Sequence, residues 1–160
     1  MSEPDVGARL QDLEARVAAL EDGAGRAPEP QDRTGEAGGI GYHGTVRLQE
    51  GAGPTTWTIG YDAAATLDLP AGAVTEVLAA LGHPVRLALV RRLLAGPAGT
   101  NDLVAAAELS SSGQLYHHLR TLTAARVVEQ DGRTYSVPAT GVVPVLVALL
   151  AAADLAGALR

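Results

Sequence analysis

Cysteine is absent from the 160-residue chain, which excludes disulfides and thiolate metal sites. Lysine is absent too, so all 12 basic residues are arginine. Phenylalanine is missing and Trp57 is the only tryptophan. The core must therefore be packed from small aliphatic side chains, which suit close helix–helix contact and gain less per residue than aromatic ones. No convergent set of nucleophile, base and oxyanion donors is present, and no Gly-rich loop lies between a strand and a helix, so the chain is read as a non-enzyme. Met1–Asp12 is acidic and polar, unlike a secretory signal. The apolar run Gly141–Ala153 falls short of the roughly 20 residues a bilayer needs and is followed by Asp154. It reads as a buried helix, and the protein as soluble, cytoplasmic and without a membrane partner.

The net charge of −6 is unevenly spread. Residues 1–40 carry −5, residues 41–82 carry −3, residues 83–137 carry +2 and residues 138–160 are neutral. For contact with a polyanion the local face counts for more than the total, which directs attention to 83–137.

Residues 1–21 form an amphipathic arm. Val6, Leu10, Leu13, Val17 and Leu20 recur at alternating spacings of four and three, with charged residues between them. The pattern fits a short coiled coil, which would reinforce a dimer or make a higher assembly, and equally a helix lying on its own domain. Residues 22–40, rich in Gly, Pro and charge, read as a flexible linker. Residues 41–62 read as a β-hairpin: Tyr42, Val46 and Leu48 alternate on one strand, Trp57, Ile59 and Tyr61 on the next, and Glu50–Pro54 connects them. An isolated hairpin is marginal in water, so this one is expected to pack on the helical body or on another chain.

From Leu69 onward helices dominate. Pro70–Leu81 has Val74, Val77, Leu78 and Leu81 on one face and stops at Gly82. His83-Pro84 opens the next helix, with Pro suited to its first turn, and Gly96-Pro97 ends it. Thr100 or Asn101 is expected to cap a short helix through Ala107. A serine-rich turn and a helix over Ser111–Ala125 follow. Val127–Val137 alternates around Asp131-Gly132, a tight-hairpin signal, and a last helix spans Thr140–Ala158. The expected fold is mainly α with short β: a winged helix-turn-helix over 70–137 with an N-terminal helical arm and an added β-hairpin. The helix in 138–160 is apolar nearly all round, which marks it for burial against a second subunit in a homodimer.

Three motifs within residues 77–137 resemble the ArsR-type family of bacterial winged-helix repressors. Ala80-Leu81-Gly82-His83-Pro84-Val85-Arg86 is similar to the family's entry into its second helix. Leu115-Tyr116-His117-His118-Leu119-Arg120 is similar to its reading helix, and Val127–Val137 with Gly132-Arg133 and Tyr135 to its wing. The resemblance implies DNA binding and regulation of transcription, with repression as the expected sense. Two departures stand out. The turn Leu109-Ser110-Ser111-Ser112 has serine where a small apolar anchor is usual. The cysteines of the metal-sensing members are absent, and Asp154 is the terminal helix's only potential ligand. Metal sensing is therefore not implied, and no metal or cofactor is expected.

A helix about 12 Å across fits the similarly wide major groove of B-DNA. Ser111, Ser112, Gln114, Tyr116, His117 and Arg120 are its polar candidates for contact with double-stranded DNA, while Leu115, Leu119 and Leu122 face the core. Gln114 suits bidentate pairing with adenine and Arg120 suits guanine or a phosphate. Arg133 in the wing is placed to reach the minor groove or the backbone. His83 reads as a helix-entry residue, His117 and His118 as a non-chelating neighbour pair, and Arg91-Arg92 as a solvated face. A second reading takes the chain as a protein–protein interaction module acting through its acidic arm and hairpin. An effector, small molecule or protein, has no identity in the sequence.

Overall fold

The computed structural model describes residues 38–47 and 53–159. The amphipathic arm with Val6, Leu10, Leu13, Val17 and Leu20, residues 22–37 of the expected linker, and Leu48 with most of the hairpin connection lie outside the described residues.

Strands β1 (Gly39–Val46) and β2 (Thr55–Asp62) pair antiparallel, with Tyr42 opposite Ile59 and Gly44 opposite Trp57. The hairpin is therefore as expected, except that β1 begins at Gly39, inside the segment read as linker. Its end is tied down by Ala63, whose N–H donates to the Gly38 carbonyl at 3.0 Å. Asp62 closes the following 3-10 turn, Ala65–Asp68, by accepting from the Ala65 N–H at 2.9 Å.

Helices α1 (Ala71–Leu81) and α2 (Pro84–Leu94) meet at 87°. His83 caps α2 by accepting the Val85 N–H on Nδ1 at 3.2 Å, which bears out its reading as the entry residue. Arg86 turns back across the corner. Its Nε donates to the Ala80 carbonyl at 2.6 Å and its Nη2 to that of Ala79 at 2.8 Å, placing a guanidinium on the negative end of α1. The expected apolar face of α1 needs correction. Ala80 and Leu81 are buried, whereas Val74 and Leu78 are exposed, because the core touches only the stripe through Val77 and Leu81.

The Ala98–Gly99 segment, which punctuates the sequence after Gly96-Pro97, forms a short strand β3. Helix α3 (Thr100–Ala106) then starts from Gly99 with no side-chain cap, so neither Thr100 nor Asn101 fills that role. Helix α4 (Ser112–Ala124) follows, then β4 (Glu129–Asp131), β5 (Thr134–Ser136) and α5 (Ala139–Leu155). The sheet order β3-β5-β4 makes the wing three-stranded, with Ala98 opposite Tyr135. The wing turn is Gly132-Arg133, not Asp131-Gly132, since Asp131 pairs with Thr134. Only Gly132 has positive φ, at 55°, as in a type II′ rather than a type I′ turn. Leu89, Leu93, Leu103, Leu115, Leu119, Leu122 and Val128 form the fully buried heart of the domain.

Both α3 and α4 end in a Schellman motif on a non-glycine residue. Glu108 has φ 52° and donates to the Ala105 carbonyl, while Leu109 reaches back to Val104 at 3.0 Å. Arg126 has φ 58°, and Val127 reaches back to Leu122 at 3.0 Å. A left-handed residue with a Cβ costs on the order of 1 kcal/mol relative to glycine. Glu108→Gly is expected to raise stability by about 0.5–1 kcal/mol, read as a higher urea midpoint at unchanged slope.

Helix α5 stops at Leu155, three residues before its expected end. Pro144 inside it cannot donate to the Thr140 carbonyl, so one rung of the ladder is missing. Only Val143 and Val145 are buried in it, and Leu155 is 92% exposed. No described helix is long and apolar enough alone to cross a membrane.

Candidate nucleic-acid interface

The turn between α3 and α4 holds α4 by two devices. Leu109 packs against the core beside Val104, supplying the apolar anchor that the serines do not. Ser111 then caps α4, its Oγ accepting the Gln114 N–H at 3.4 Å. Ser110 donates to Gln114 Oε1 at 3.1 Å, so a bidentate contact from Gln114 must share or release that bond.

Within α4, Leu115, Leu119 and Leu122 are buried and fix the helix rotation. Ser112, Gln114, Tyr116, His117 and Arg120 are thereby exposed, as is the capping Ser111. Tyr116, Arg120 and Thr123, four and three residues apart, share the face toward the wing. Tyr116 divides two hollows there. One, of about 500 Å³, runs between the start of α3 and the wing and includes Thr100, Gln130 and Arg133. The other, of about 420 Å³, includes Arg120, Thr123 and Gln130. Tyr116, Arg120 and Arg133 thus share one side of the domain with the wing tip. Burial pushes the Tyr135 hydroxyl above its ordinary range, and Tyr116 beside it adds to the shift. Gln130, which lines both hollows, is a polar wing residue that the sequence reading missed; it stands directly opposite Tyr135 across the wing, a pairing fixed by the Gly132-Arg133 turn.

Arg92 is not simply solvated: it donates to the Gly96 carbonyl at 3.2 Å and lies 4.0 Å from Asp102. His117 and His118, read as pointing apart, keep an edge-on ring contact, with centroids 5.6 Å apart and planes at 70°. His118 also meets His83, with centroids 4.9 Å apart, and its Nδ1 is buried with no hydrogen-bond partner among the described residues. Among the described residues no group of His, Asp and Glu is arranged to hold a metal ion.

Burial first, and then the neighbours His83, Arg86 and His117, hold His118 below its ordinary value of 6.5. The folded chain then binds fewer protons than the unfolded one as pH falls through 6.5. Stability is expected to be flat above that pH and to decline below it as His118 is driven to charge. Urea unfolding at pH 7.5 and pH 5 should show this decline for the native chain and a smaller one for His118→Gln.

Two helices joined by a tight turn, the second presenting an exposed polar face, and a β-wing beside it define a winged helix-turn-helix protein. Residues 81–131 match the family model described as a helix-turn-helix domain. The match lies inside the stretch that resembles the ArsR-type family and agrees with the helix-turn-helix expected there. Two solved structures are similar to part of the chain. One is NolR from Sinorhizobium fredii, at 24% identity and a TM-score of 0.44, covering 59% of this chain and 93% of that one. The other is the homodimeric winged helix-turn-helix DNA-binding domain of a possible ArsR-family transcriptional regulator from Mycobacterium bovis. It also has 24% identity and a TM-score of 0.44, covering 57% of this chain and 86% of that one. No curated protein matches the chain.

Proposed function

We propose that the protein is a cytoplasmic, homodimeric, sequence-specific DNA-binding regulator of transcription, acting as a repressor and not through a metal. The observation that carries this reading is the exposed polar face of α4 held beside the wing by the buried leucines on its other side. On this reading α4 lies in the major groove, with Ser111, Ser112, Gln114, Tyr116, His117 and Arg120 toward the DNA. Gln114 and Arg120 read base edges, and the serines and helix N–H groups hold phosphate. Arg133 sits at the wing turn and reaches the adjacent minor groove or backbone. One α4 spans too few base pairs for tight specific binding, so two copies about 34 Å apart are needed. The exposed leucines of α5 supply the apolar surface for that pairing.

A gel shift on the gene's own promoter region tests the reading. Binding is expected to weaken steeply with salt, since each phosphate contact releases a counterion. No binding to any DNA at low salt contradicts it and leaves the protein-interaction reading through residues 1–62.

A further inference from the structure

Directly opposed residues of an antiparallel pair share a face, so Ile40, Tyr42, Ile59 and Tyr61 stand together on one side of the hairpin. With Gly41, Thr66 and Leu69 they line a groove of about 310 Å³ whose wall is wholly apolar. Ile40 is 58% exposed and Tyr61 45% exposed, so among the described residues nothing covers this groove. It lies outside the helix-turn-helix match and plays no part in the contacts proposed for α4.

We propose that the groove is the seat of the chain's own residues 6–20, which dock there through the stripe Val6, Leu10, Leu13, Val17 and Leu20. Two observations select this occupant. The first is attachment: residues 1–37 lead into Gly38, two residues before Ile40 on the groove wall. Seventeen residues lie between Leu20 and Gly38, with a contour of up to about 60 Å, so a return path along the hairpin is open. The second is chemistry. The stripe is aliphatic on one side and charged on the other, which matches an apolar seat at a solvent-facing edge. Two heptads are too few for a stable coiled coil with a second copy, whereas a short tether gives an effective local concentration on the order of millimolar.

The natural absence of cysteine makes disulfide mapping in the full-length chain direct. Ile59→Cys is combined in turn with Leu10→Cys, Leu13→Cys and Val17→Cys. Two controls are the pair Ile59→Cys with Asp12→Cys, on the charged side of the arm, and the pair Thr58→Cys with Leu13→Cys, on the other face of β2. A disulfide requires Cα atoms within about 7 Å. Under mild oxidation, at least one stripe pair is expected to close within the chain at least tenfold faster than either control, scored by intact mass after thiol alkylation. A parallel set built on Ile40→Cys covers the case in which Ile59→Cys does not fold. Disulfides formed between chains overturn the proposal in favour of a second copy as occupant. Stripe pairs that close no faster than the controls in both sets overturn it as well, leaving the groove to an apolar ligand or partner.

Discussion

Leu150→Glu combined with Leu155→Glu is expected to convert the protein to a monomer and to lower operator affinity by about 100- to 10,000-fold. Both leucines are exposed on the C-terminal half of α5, at 58% and 92%, so neither supports the fold of a single chain. A carboxylate at either position leaves the core at Val143 and Val145 untouched, yet it would have to be buried without a partner in an α5 pairing. Sedimentation should report the monomer, circular dichroism should be unchanged, and the gel shift should report the weaker binding. Retained affinity in a verified monomer would mean that one α4 suffices.

The double variant Gln114→Ala with Arg120→Ala carries the second large effect. Each bidentate base contact is worth about 1–3 kcal/mol of discrimination, so the pair should cost roughly 30- to 10,000-fold on the specific site. Binding to unrelated DNA should change far less, because Gln114 carries no charge and phosphate contacts are also proposed at the helix start and at Arg133. Neither side chain is buried, and the hydrogen bond from Ser110 to Gln114 is itself exposed to solvent, so folding should be nearly unaffected. An equal drop in affinity for specific and unrelated DNA would assign both residues to backbone contact.

The helix-turn-helix was legible in the sequence because its signals are local. Leu115, Leu119 and Leu122 repeat at helical spacing, and His83-Pro84 is an N-terminal signature. What stayed hidden depends on partners distant in sequence. Ala98–Gly99 became a strand only because Tyr135 and Thr134 lie beside it, and no periodicity exists in two residues. Val74 and Leu78 looked like core because they share helical spacing with Val77 and Leu81, yet the packed surface is too narrow to cover both stripes. Arg86 illustrates the same limit: it caps α1 from the first turn of α2, a contact that exists only once the two helices turn through 87°. The exposed faces of α4 and the wing were each expected separately. Their meeting around Tyr116 and Gln130 is a tertiary fact.

Base reading by α4 is decided by selecting bound fragments from random duplex DNA. The expected result is enrichment of a two-fold symmetric site with half-sites about one helical turn apart. Arg120→Ala is expected to relax selection at one position of each half-site and to leave the others intact. Fragments recovered without a shared sequence, or an Arg120→Ala selection identical to that of the native chain, would contradict base reading by α4.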